Sequence, residues 1–377
     1  MSGTLQIVPV SGGAGLERFI RLPMRLNAGD PNYVAPLLFE RRQALSPKQN
    51  PFFQHADHQF WLAVRNGVDV GRISAQIDHL ARTDPEAPAG YFGMIAAEDD
   101  PAVFAALFDV AEAWLRERGR KAAMGPFNLS VNEEVGLLID GFDTPPMFMM
   151  PHDPPYTAAR IEALGYGKIK DLYAYYSGIP VFTPGVQARL ARPPAPGLVL
   201  RPVNMAAFTD EVNALVGILN DGWSENWGSA PVTEAETAYL AESLRLILHP
   251  RLIWFVEIDG EPAGFVVLLP NLNDLIADLD GKLLPFGWAK LLWRLKVTGA
   301  RRGRVPLMGV KRKFARDPRG TMAPFMLLDA IRREGVRVGI TQAEYGWILE
   351  DNMPMRHILE GFGARIYKTY RVYSKPI

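Results

Sequence analysis

Apolar and polar residues follow one hairpin pattern twice along this chain. Residues 60–71 are an apolar run, the turn dipeptide Asn66-Gly67 and a second apolar run, and residues 253–264 repeat this order around Asp259-Gly260. Asn-Gly or Asp-Gly between two apolar runs is typical of a β-hairpin with a tight primed turn. The sequence therefore predicts two similar hairpins in the two halves of the chain.

A second repeated segment lies near the end of each half. Residues 162–175 and 360–373 each begin with Glu-x-x-Gly, which predicts a helix end, and each lead to a tyrosine, Tyr175 or Tyr373. Repetition over this length indicates two copies of one domain fold.

The remaining periodicity predicts alternating helices and strands in both halves. Helices are predicted at 14–27, from Asp100-Pro101 to Gly119, and at 158–164, 205–221, 234–248, 322–334 (ending at Gly335) and 352–361. Strands are predicted in hairpins 60–78 and 252–269 and at 91–96, 168–177, 198–203, 305–310, 338–347 and 364–374. This order predicts an α/β fold, of α+β type with mixed sheets.

A proline-dense segment divides the halves. Residues 179–197 contain prolines that interrupt helices and central strands, so we interpret them as a linker. The predicted domains are then 1–178 and 198–377. The spacing of the repeats places additional chain at roughly 120–155 in the first copy and 270–304 in the second.

Composition excludes several classes of function. The 41 Lys and Arg residues equal the 41 Asp and Glu residues, which argues against nucleic acid as a partner. There is no cysteine and only six scattered histidines, so we predict no metal site and no thiol catalysis. The N-terminus does not resemble a signal peptide. We therefore expect a cytoplasmic protein, with peripheral contact at the inner face of the cytoplasmic membrane left open.

A basic loop precedes the helix predicted at 322–334. It contains Lys311, Arg312, Lys313, Arg316, Arg319, Gly320 and Thr321. Cations and free backbone N–H groups at a helix N-terminus favour a pyrophosphate, although a solvated charged loop has the same composition. The matching point of the first half is Glu98-Asp99-Asp100, which would repel phosphate. Only the second copy is therefore predicted to bind a phosphorylated ligand.

The additional chain at 283–304 is amphipathic. On a helix, Trp288 and three leucines share one face, while Lys290, Arg294 and Arg301 lie opposite. This pattern is typical of a helix at a membrane surface, and equally of a helix packed on its own domain. In either case Trp288 and Trp293 are candidates for binding an apolar chain.

Two polar segments complete the candidate sites. Glu344 and Glu350 near a strand end are candidate general bases, with surface carboxylates as the alternative. Asn128, Asn132 and Glu133 lie in a loop-like stretch suited to a polar head group, or to hydrogen bonds that fix the loop. Asn352 is predicted to cap the helix at 352–361.

The order of strand, basic loop, helix, strand and Asn-led helix resembles the GNAT acyltransferase superfamily. The segments 311–321 and 352–363 carry this resemblance. It implies that the loop binds the pyrophosphate of a coenzyme A thioester and that Asn352 contacts it. The tyrosine acid expected seven residues after the Asn is Leu359, which leaves the proton donor unassigned.

Both halves together resemble a bacterial group of tandem GNAT-like proteins that includes ceramide synthases. The segments 125–133, 171–175, 283–287 and 347–352 carry this resemblance. It implies an acyl-CoA-dependent N-acyltransferase acting on a long-chain lipid amine such as a sphingoid base. The alternatives are an aminoacyl or other GNAT-type transferase, and a non-catalytic protein that binds acyl-CoA or lipid.

Overall fold

The structure, a computed structural model, describes residues 4–179, 181–244 and 248–377. The strands, numbered along the chain, are β1 (Leu5–Pro9), β2 (Ala56–Arg65), β3 (Val68–Asp78), β4 (Ala89–Ala97), β5 (Ala122–Gly125), β6 (Phe127–Asn128), β7 (Glu134–Val135), β8 (Leu137–Asp140), β9 (Gly167–Ser177), β10 (Leu198–Pro202), β11 (Ile253–Ile258), β12 (Glu261–Pro270), β13 (Arg302–Val310), β14 (Gln342–Leu349) and β15 (Arg365–Pro376).

The α-helices alternate with these strands. They are α1 (Gly12–Leu26), α2 (Leu38–Ala44), α3 (Pro101–Glu117), α4 (Tyr156–Glu162), α5 (Pro184–Leu190), α6 (Phe208–Trp223), α7 (Glu234–Leu244), α8 (Leu272–Ile276), α9 (Gly287–Trp293), α10 (Pro318–Arg337) and α11 (Met353–Gly361). Short 3-10 helices lie at Pro51–Gln54, Met205–Ala207, Pro250–Leu252 and Arg312–Phe314, and a π-helical turn at Arg294–Thr298.

Both predicted hairpins are confirmed. β2 pairs with β3 and β11 pairs with β12, each antiparallel. The turn residues Asn66 and Gly67 have φ of 51° and 78°, and Asp259 and Gly260 have 52° and 81°. Positive φ at both central positions is the primed turn that Asn-Gly and Asp-Gly favour.

The chain forms two compact units. Unit 1 contains Met1–Leu172, Ile276–Gly287 and Lys368–Ile377, and unit 2 contains Tyr173–Leu275 and Trp288–Tyr367. These units do not coincide with the predicted domains 1–178 and 198–377, because each takes residues from both halves of the sequence. β9 is divided after Leu172 and β15 after Tyr367.

Unit 1 is a sheet with helices on both faces. Its strand order is β1-β2-β3-β4-β5, followed by the unit 1 parts of β15 and β9. The helix α3 buries Phe104, Leu107 and Phe108 against one face, and α1 with α2 covers the other around Phe19. As predicted, Asp100 caps α3, since its carboxylate accepts the Ala102 N–H at 2.8 Å.

Unit 2 has a similar arrangement. Its order is β14-β13-β12-β11-β10, with the unit 2 part of β9 beside β14. The helix α10 packs Leu327, Leu328 and Ile331 into a core with Val266. The helix α6 contacts β12 and β13.

The repeated tyrosines explain why each unit takes residues from both halves. In unit 1 the Tyr373 hydroxyl donates to Glu162 at 3.0 Å, and in unit 2 the Tyr175 hydroxyl donates to Glu360 at 2.6 Å. The tyrosine of each sequence copy therefore bonds to the glutamate of the other copy, within one unit. The two copies have exchanged the strand that carries it.

Two predicted element boundaries were wrong, and the segment predicted as a linker contains a helix. The predicted linker 179–197 contains α5, because Pro184 suits a helix N-terminus, and Phe182 is buried in the core of unit 2. Gly335 does not end its helix; it lies buried inside α10, and the left-handed Gly339 follows the helix end instead. The predicted strand 338–347 starts only at Gln342. Part of the helix predicted at 234–248, residues 245–247, lies outside the described residues.

Candidate active site

In unit 2 the parallel strands β13 and β14 pair over a short stretch near the start of each strand. The register runs from Arg302 to the pair of Val305 with Tyr345. At this point β13 carries one extra residue opposite β12, between Arg304 and Leu307. A bulge re-aims backbone groups and side chains and is common beside active sites. The end of the paired stretch is therefore the candidate reaction centre.

Unit 1 has the same bulge, but its own chain packs against it. The parallel pairing of β4 with β5 ends at Tyr91, and the bulge follows Gly93. A Cβ on Gly93 would lie 1.8 Å from the Phe127 carbonyl oxygen. The Met94 N–H donates to Asn128 Oδ1 at 2.7 Å. Protein groups thus already contact the bulge of unit 1.

The basic loop between β13 and α10 is surrounded by carboxylates. Lys311 and Lys313 both pair with Glu261, with Lys311 Nζ at 2.8 Å. Arg312 Nη1 lies 2.8 Å from Glu225. An anionic ligand would compete with these acids for the cations. All of these contacts are at the surface, where an ion pair contributes little to stability.

Arg319 links the start of α10 to the hairpin turn of unit 2. Its guanidinium lies 2.9 Å from both Asp317 and Asp259. Asp317 caps α10 by accepting the Arg319 N–H at 2.7 Å. The side-chain hydrogen bond from Arg319 holds the pKa of Asp317 below its ordinary value. The N-terminus of α10 thus already holds the carboxylate of Asp317, which precedes Pro318 as Asp100 precedes Pro101 in α3.

Gly320 and Arg316 have different environments in the same loop. A Cβ on Gly320 would lie 1.9 Å from the Phe314 carbonyl oxygen, so only glycine permits this close approach. Arg316 is exposed, and within the described part of the chain it has no ion pair. Arg316 is therefore the loop cation that a phosphate could reach without displacing an acid.

The other residues predicted to bind coenzyme A have local hydrogen bonds. The Thr321 hydroxyl donates to the Pro318 carbonyl at 2.8 Å. Asn352 caps α11 as predicted, accepting the Met355 N–H at 3.3 Å. Their contacts with a cofactor, like those of the loop cations, stay predictions.

The two candidate bases lie in unlike environments. Glu344 is fully buried; its carboxylate lies 3.0 Å from Arg304 Nε and accepts the Tyr367 hydroxyl. Glu350 is partly buried, and its backbone carbonyl accepts Arg356 Nη1 at 2.7 Å. Glu344 is therefore held in a polar cluster, and any role as a base has to operate through a neighbour.

The sequence reasoning missed Arg304 and Tyr367. Arg304 is the last residue of the predicted insertion 283–304, but it lies in β13 and only 4% of it is exposed. The available signal was its place next to the apolar residue Val305 at the start of a strand. A buried arginine requires a carboxylate partner, and Glu344 is its cross-strand neighbour.

In unit 1 the predicted acceptor residues belong to a charged cluster. Asn128 donates to Glu134 at 3.0 Å, and Glu134 lies 3.4 Å from Arg41. The Asn132 N–H donates to the Ser130 hydroxyl at 3.0 Å. Burial raises the pKa of Glu133 to about 8, and the neighbouring Glu134 acts in the same direction. The Asn128 side chain therefore already makes two hydrogen bonds within the protein, since its amide oxygen accepts the Met94 N–H.

Three further members of this cluster were not predicted. Burial raises the pKa of Asp153 to about 7 and that of Tyr33 to about 12, and it lowers the pKa of Arg72 to about 10. Arg72 Nη1 donates to the Phe19 carbonyl at 2.7 Å. Groups with shifted pKa values often gather at functional sites, although structural networks shift them too.

We expect Glu133→Gln to stabilise the protein at alkaline pH. A carboxyl group whose pKa rises on folding contributes stability that is fully present below its unfolded pKa of 4.5 and is lost as the pH rises toward about 8. Glutamine stays neutral and avoids this loss. Because Glu133 is partly exposed, the gain at pH 8 should be about 1–3 kcal/mol, with almost none at pH 4.5. Urea denaturation at both pH values measures it.

Glu134→Gln is the matched control for this prediction. It removes the charge that pairs with Arg41 and accepts from Asn128, so it should lower the free energy of unfolding by about 1–2 kcal/mol at pH 8. Equal effects of the two variants would contradict the assigned environment of Glu133.

The insertion 283–304 forms a short helix, α9, followed by the π-helical turn. Four large apolar side chains of this segment in unit 2 are exposed: Trp288 by 50%, Leu292 by 42%, Trp293 by 63% and Val297 by 60%. We call these four residues the apolar surface. Arg294 Nη1 donates to the Leu275 carbonyl of the same unit at 2.6 Å, and contact of the apolar surface with a membrane stays a prediction.

The described residues show neither a metal-binding cluster nor a membrane-spanning helix. No three His, Cys, Asp or Glu side chains there are placed to hold a metal ion. No helix among them has the length and apolar character needed to span a bilayer.

Comparison with known proteins identifies the family and the fold. No protein-family model matches the chain. The chain is 56% identical over 375 residues to a bacterial ceramide synthase of Caulobacter vibrioides, covering 99% of this chain and 98% of the relative. It is 46% identical over 364 residues to the protein YghO of Escherichia coli K12, covering 96% and 93%.

Among solved structures, the chain is similar to a tandem GNAT protein from the clavulanic acid biosynthesis pathway. The TM-score is 0.57 at 15% identity, with 99% of this chain and 98% of the other covered. A fungal GCN5-related glucosamine N-acetyltransferase region gives a TM-score of 0.60 at 14% identity, with 100% and 38% covered. The predicted α/β fold class with two GNAT-like parts is confirmed. The chain therefore belongs to the bacterial ceramide synthase family and is an acyltransferase with the tandem GNAT fold.

Proposed function

We propose that the protein transfers a fatty acyl group from acyl-CoA to the amine of a long-chain lipid amine, with a sphingoid base as the acceptor. The assignment of the acyl-CoA site rests on a difference between the bulge on β4 in unit 1 and the bulge on β13 in unit 2. In unit 1 the bulge N–H of Met94 is bonded to Asn128. In unit 2 the bulge lies on β13, the strand that leads into the basic loop. Unit 2 is therefore the proposed acyl-CoA site.

The charge of the loop supports the same assignment. Five cations lie between β13 and the first turn of α10, and Arg316 is exposed without an ion pair among the described residues. The diphosphate of coenzyme A would pair with Arg316 and compete with Glu261 for Lys311 and Lys313. At the matching point of unit 1 lies the carboxylate of Asp100, which pairs with Arg65.

The acceptor is inferred from family membership and from the apolar surface. The relative with 56% identity is named a bacterial ceramide synthase. Ceramide is an N-acylated sphingoid base, which makes a sphingoid base the proposed acceptor. An acetyl group and a small amine would not need the exposed tryptophans of the insertion. The predicted substrate contacts of Asn128, Asn132, Glu133, Trp288 and Trp293 belong to this proposal.

The reaction follows from the two substrates. The neutral amine attacks the thioester carbonyl, a carbon–nitrogen bond forms, and the carbon–sulfur bond breaks to release the CoA thiol. One proton leaves the nitrogen and one is gained by the sulfur, so the step balances without an external reagent. Backbone N–H groups at the bulge of β13 would stabilise the oxyanion, and a base has to accept the nitrogen proton.

Release of CoA thiol tests the proposal. The purified protein is mixed with palmitoyl-CoA and sphinganine, and thiol is followed with and without the amine. We expect release that depends on the amine, together with an N-acylated product of matching mass. Tight binding of palmitoyl-CoA without amine-dependent release would overturn the proposal in favour of a carrier protein.

We further propose that the apolar surface binds an anionic bilayer. Its two tryptophans are exposed, and the cations Lys290 and Lys296 are exposed in the same segment. Aromatic side chains flanked by lysines are typical of segments that insert at the boundary between head groups and acyl chains. Such contact would give access to a membrane-dissolved acceptor.

Replacing both tryptophans by serine should weaken binding to phosphatidylglycerol vesicles by at least about tenfold. Vesicle co-sedimentation measures it. Phe39→Ser is the control, because Phe39 is 57% exposed but lies in α2 of unit 1. Equal vesicle binding by wild type and the double variant would exclude this surface as the membrane contact.

A further inference from the structure

We propose that Tyr367 is the residue that exchanges protons with the reactants, and that Arg304 and Glu344 are positioning residues that hold it. This inference rests on the proposed N-acyltransferase function and extends it to the chemical step. In this role Tyr367 takes the place of the tyrosine acid that the resemblance to GNAT proteins implies on α11. The residue at that position, seven after Asn352, is Leu359, and it is buried in the core of unit 2.

The three residues meet at the candidate reaction centre. Arg304 and Glu344 are cross-strand partners, one pair before the last pair of β13 with β14. Ala343 and Tyr345 pack in the core beneath α10. Since side chains alternate along a strand, Glu344 points to the opposite face of the sheet.

Contacts within the cluster fix its geometry. Arg304 Nε lies 3.0 Å from one oxygen of Glu344, and Arg304 Nη2 donates to the Gly346 carbonyl at 3.0 Å. The Tyr367 hydroxyl donates to the other Glu344 oxygen. Its ring packs against that of Tyr176, with 5.1 Å between the ring centroids. The hydroxyl is therefore oriented both by a hydrogen bond and by packing.

The three residues differ in how far their side chains are exposed to solvent and substrate. Glu344 is 0% exposed and Arg304 4%, so neither can touch a substrate without rearrangement. Tyr367 is partly exposed. A phenol hydroxyl can accept a hydrogen bond while it donates one, so Tyr367 can donate to Glu344 and accept an N–H of the amine. Among these three residues, only Tyr367 can reach the reacting atoms.

A proton relay through this cluster balances the reaction. As the nitrogen attacks, its proton moves to the Tyr367 oxygen while the Tyr367 proton moves to Glu344. When the carbon–sulfur bond breaks, the same path runs in reverse and delivers one proton to the sulfur. Arg304 stays charged throughout and keeps the carboxylate in place. The cluster ends the cycle in the state in which it began.

Tyr367→Phe is the test, with Tyr176→Phe as the matched control. Tyr176 is the neighbouring tyrosine, and its hydroxyl donates to Gln342 instead. In the palmitoyl-CoA and sphinganine assay, Tyr367→Phe should lower kcat by roughly 100- to 1000-fold and leave the KM for palmitoyl-CoA within about threefold. Tyr176→Phe should change both by less than about threefold.

The pH profile separates proton transfer from a structural role. Log kcat of the wild type should level off at high pH, whereas that of Tyr367→Phe should keep rising, because the proton then leaves to solvent hydroxide. Glu344→Gln, which keeps the shape of the side chain, should give the same change of profile and serves as second variant if Tyr367→Phe does not fold.

Three results would overturn the inference. They are equal losses in the two tyrosine variants, a loss confined to KM, or an unchanged pH profile in both Tyr367→Phe and Glu344→Gln. A wild-type protein without amine-dependent thiol release would instead overturn the proposed function. The role proposed for Tyr367 would fail with it, because that role depends on the N-acyltransferase reaction.

Discussion

Gly320→Ala should weaken acyl-CoA binding at least about tenfold, or about 1.4 kcal/mol. The new Cβ would lie 1.9 Å from the Phe314 carbonyl oxygen, a distance that non-bonded atoms do not adopt. Gly320 is buried in the first turn of α10, and Phe314 belongs to the 3-10 turn of the basic loop. To relieve this clash, the loop backbone has to move by more than about 1 Å. That movement displaces the loop cations from a bound diphosphate.

Isothermal titration with palmitoyl-CoA measures this effect. The control is Gly217→Ala in the interior of α6, where an added Cβ has no atom within 4 Å. That variant should bind normally and be slightly more stable, because alanine favours helix over glycine. Arg316→Ala should weaken binding severalfold without lowering stability, since Arg316 is exposed. Normal binding by both Gly320→Ala and Arg316→Ala would refute the assignment of the loop to coenzyme A.

Glu344→Ala should lower the free energy of unfolding by about 3–5 kcal/mol. It leaves the guanidinium of Arg304 buried without its carboxylate, and it removes the acceptor of the Tyr367 hydroxyl. Loss of one partner of a buried ion pair is far more costly than loss of both. Urea denaturation followed by circular dichroism measures the change.

The double variant Arg304→Met with Glu344→Leu is the control for this second prediction. It replaces the pair by apolar side chains of similar size, so its loss of stability should be clearly smaller than that of Glu344→Ala. It should nevertheless be catalytically impaired, because Tyr367 has lost its positioning residues. A cost below about 1 kcal/mol for Glu344→Ala would mean that the pair is accessible to water.

Local signals in the sequence predicted much of the fold. The turn dipeptides fixed both hairpins, and Asp100 and Asn352 marked the starts of α3 and α11. Such features depend on neighbouring residues alone and are therefore visible in one sequence. The end of α10 was missed because Gly335 packs against Leu268 inside a helix, which is a tertiary effect.

The candidate site was only partly predictable. The cations of the basic loop are visible as a cluster in sequence, but their partners Glu261, Glu225 and Asp259 are distant along the chain. The pairing of Arg304 with Glu344 depends on strand register, which residue types alone do not specify. The exchange of the tyrosine strands was not predictable either, since repeated residues do not indicate which copy they bond to.

The strand exchange has a consequence for the order of events during synthesis. Unit 1 includes Lys368–Ile377, and these residues leave the ribosome only after all of unit 2 has been made. Until then the buried core around Phe108 lacks Tyr373, and Glu162 lacks its hydroxyl donor. The part of unit 1 that ends at Leu172 therefore lacks its last strand while nearly two hundred further residues are translated. A nascent chain in this interval exposes apolar sheet surface, so chaperone occupancy on ribosomes should fall only when the final strand emerges.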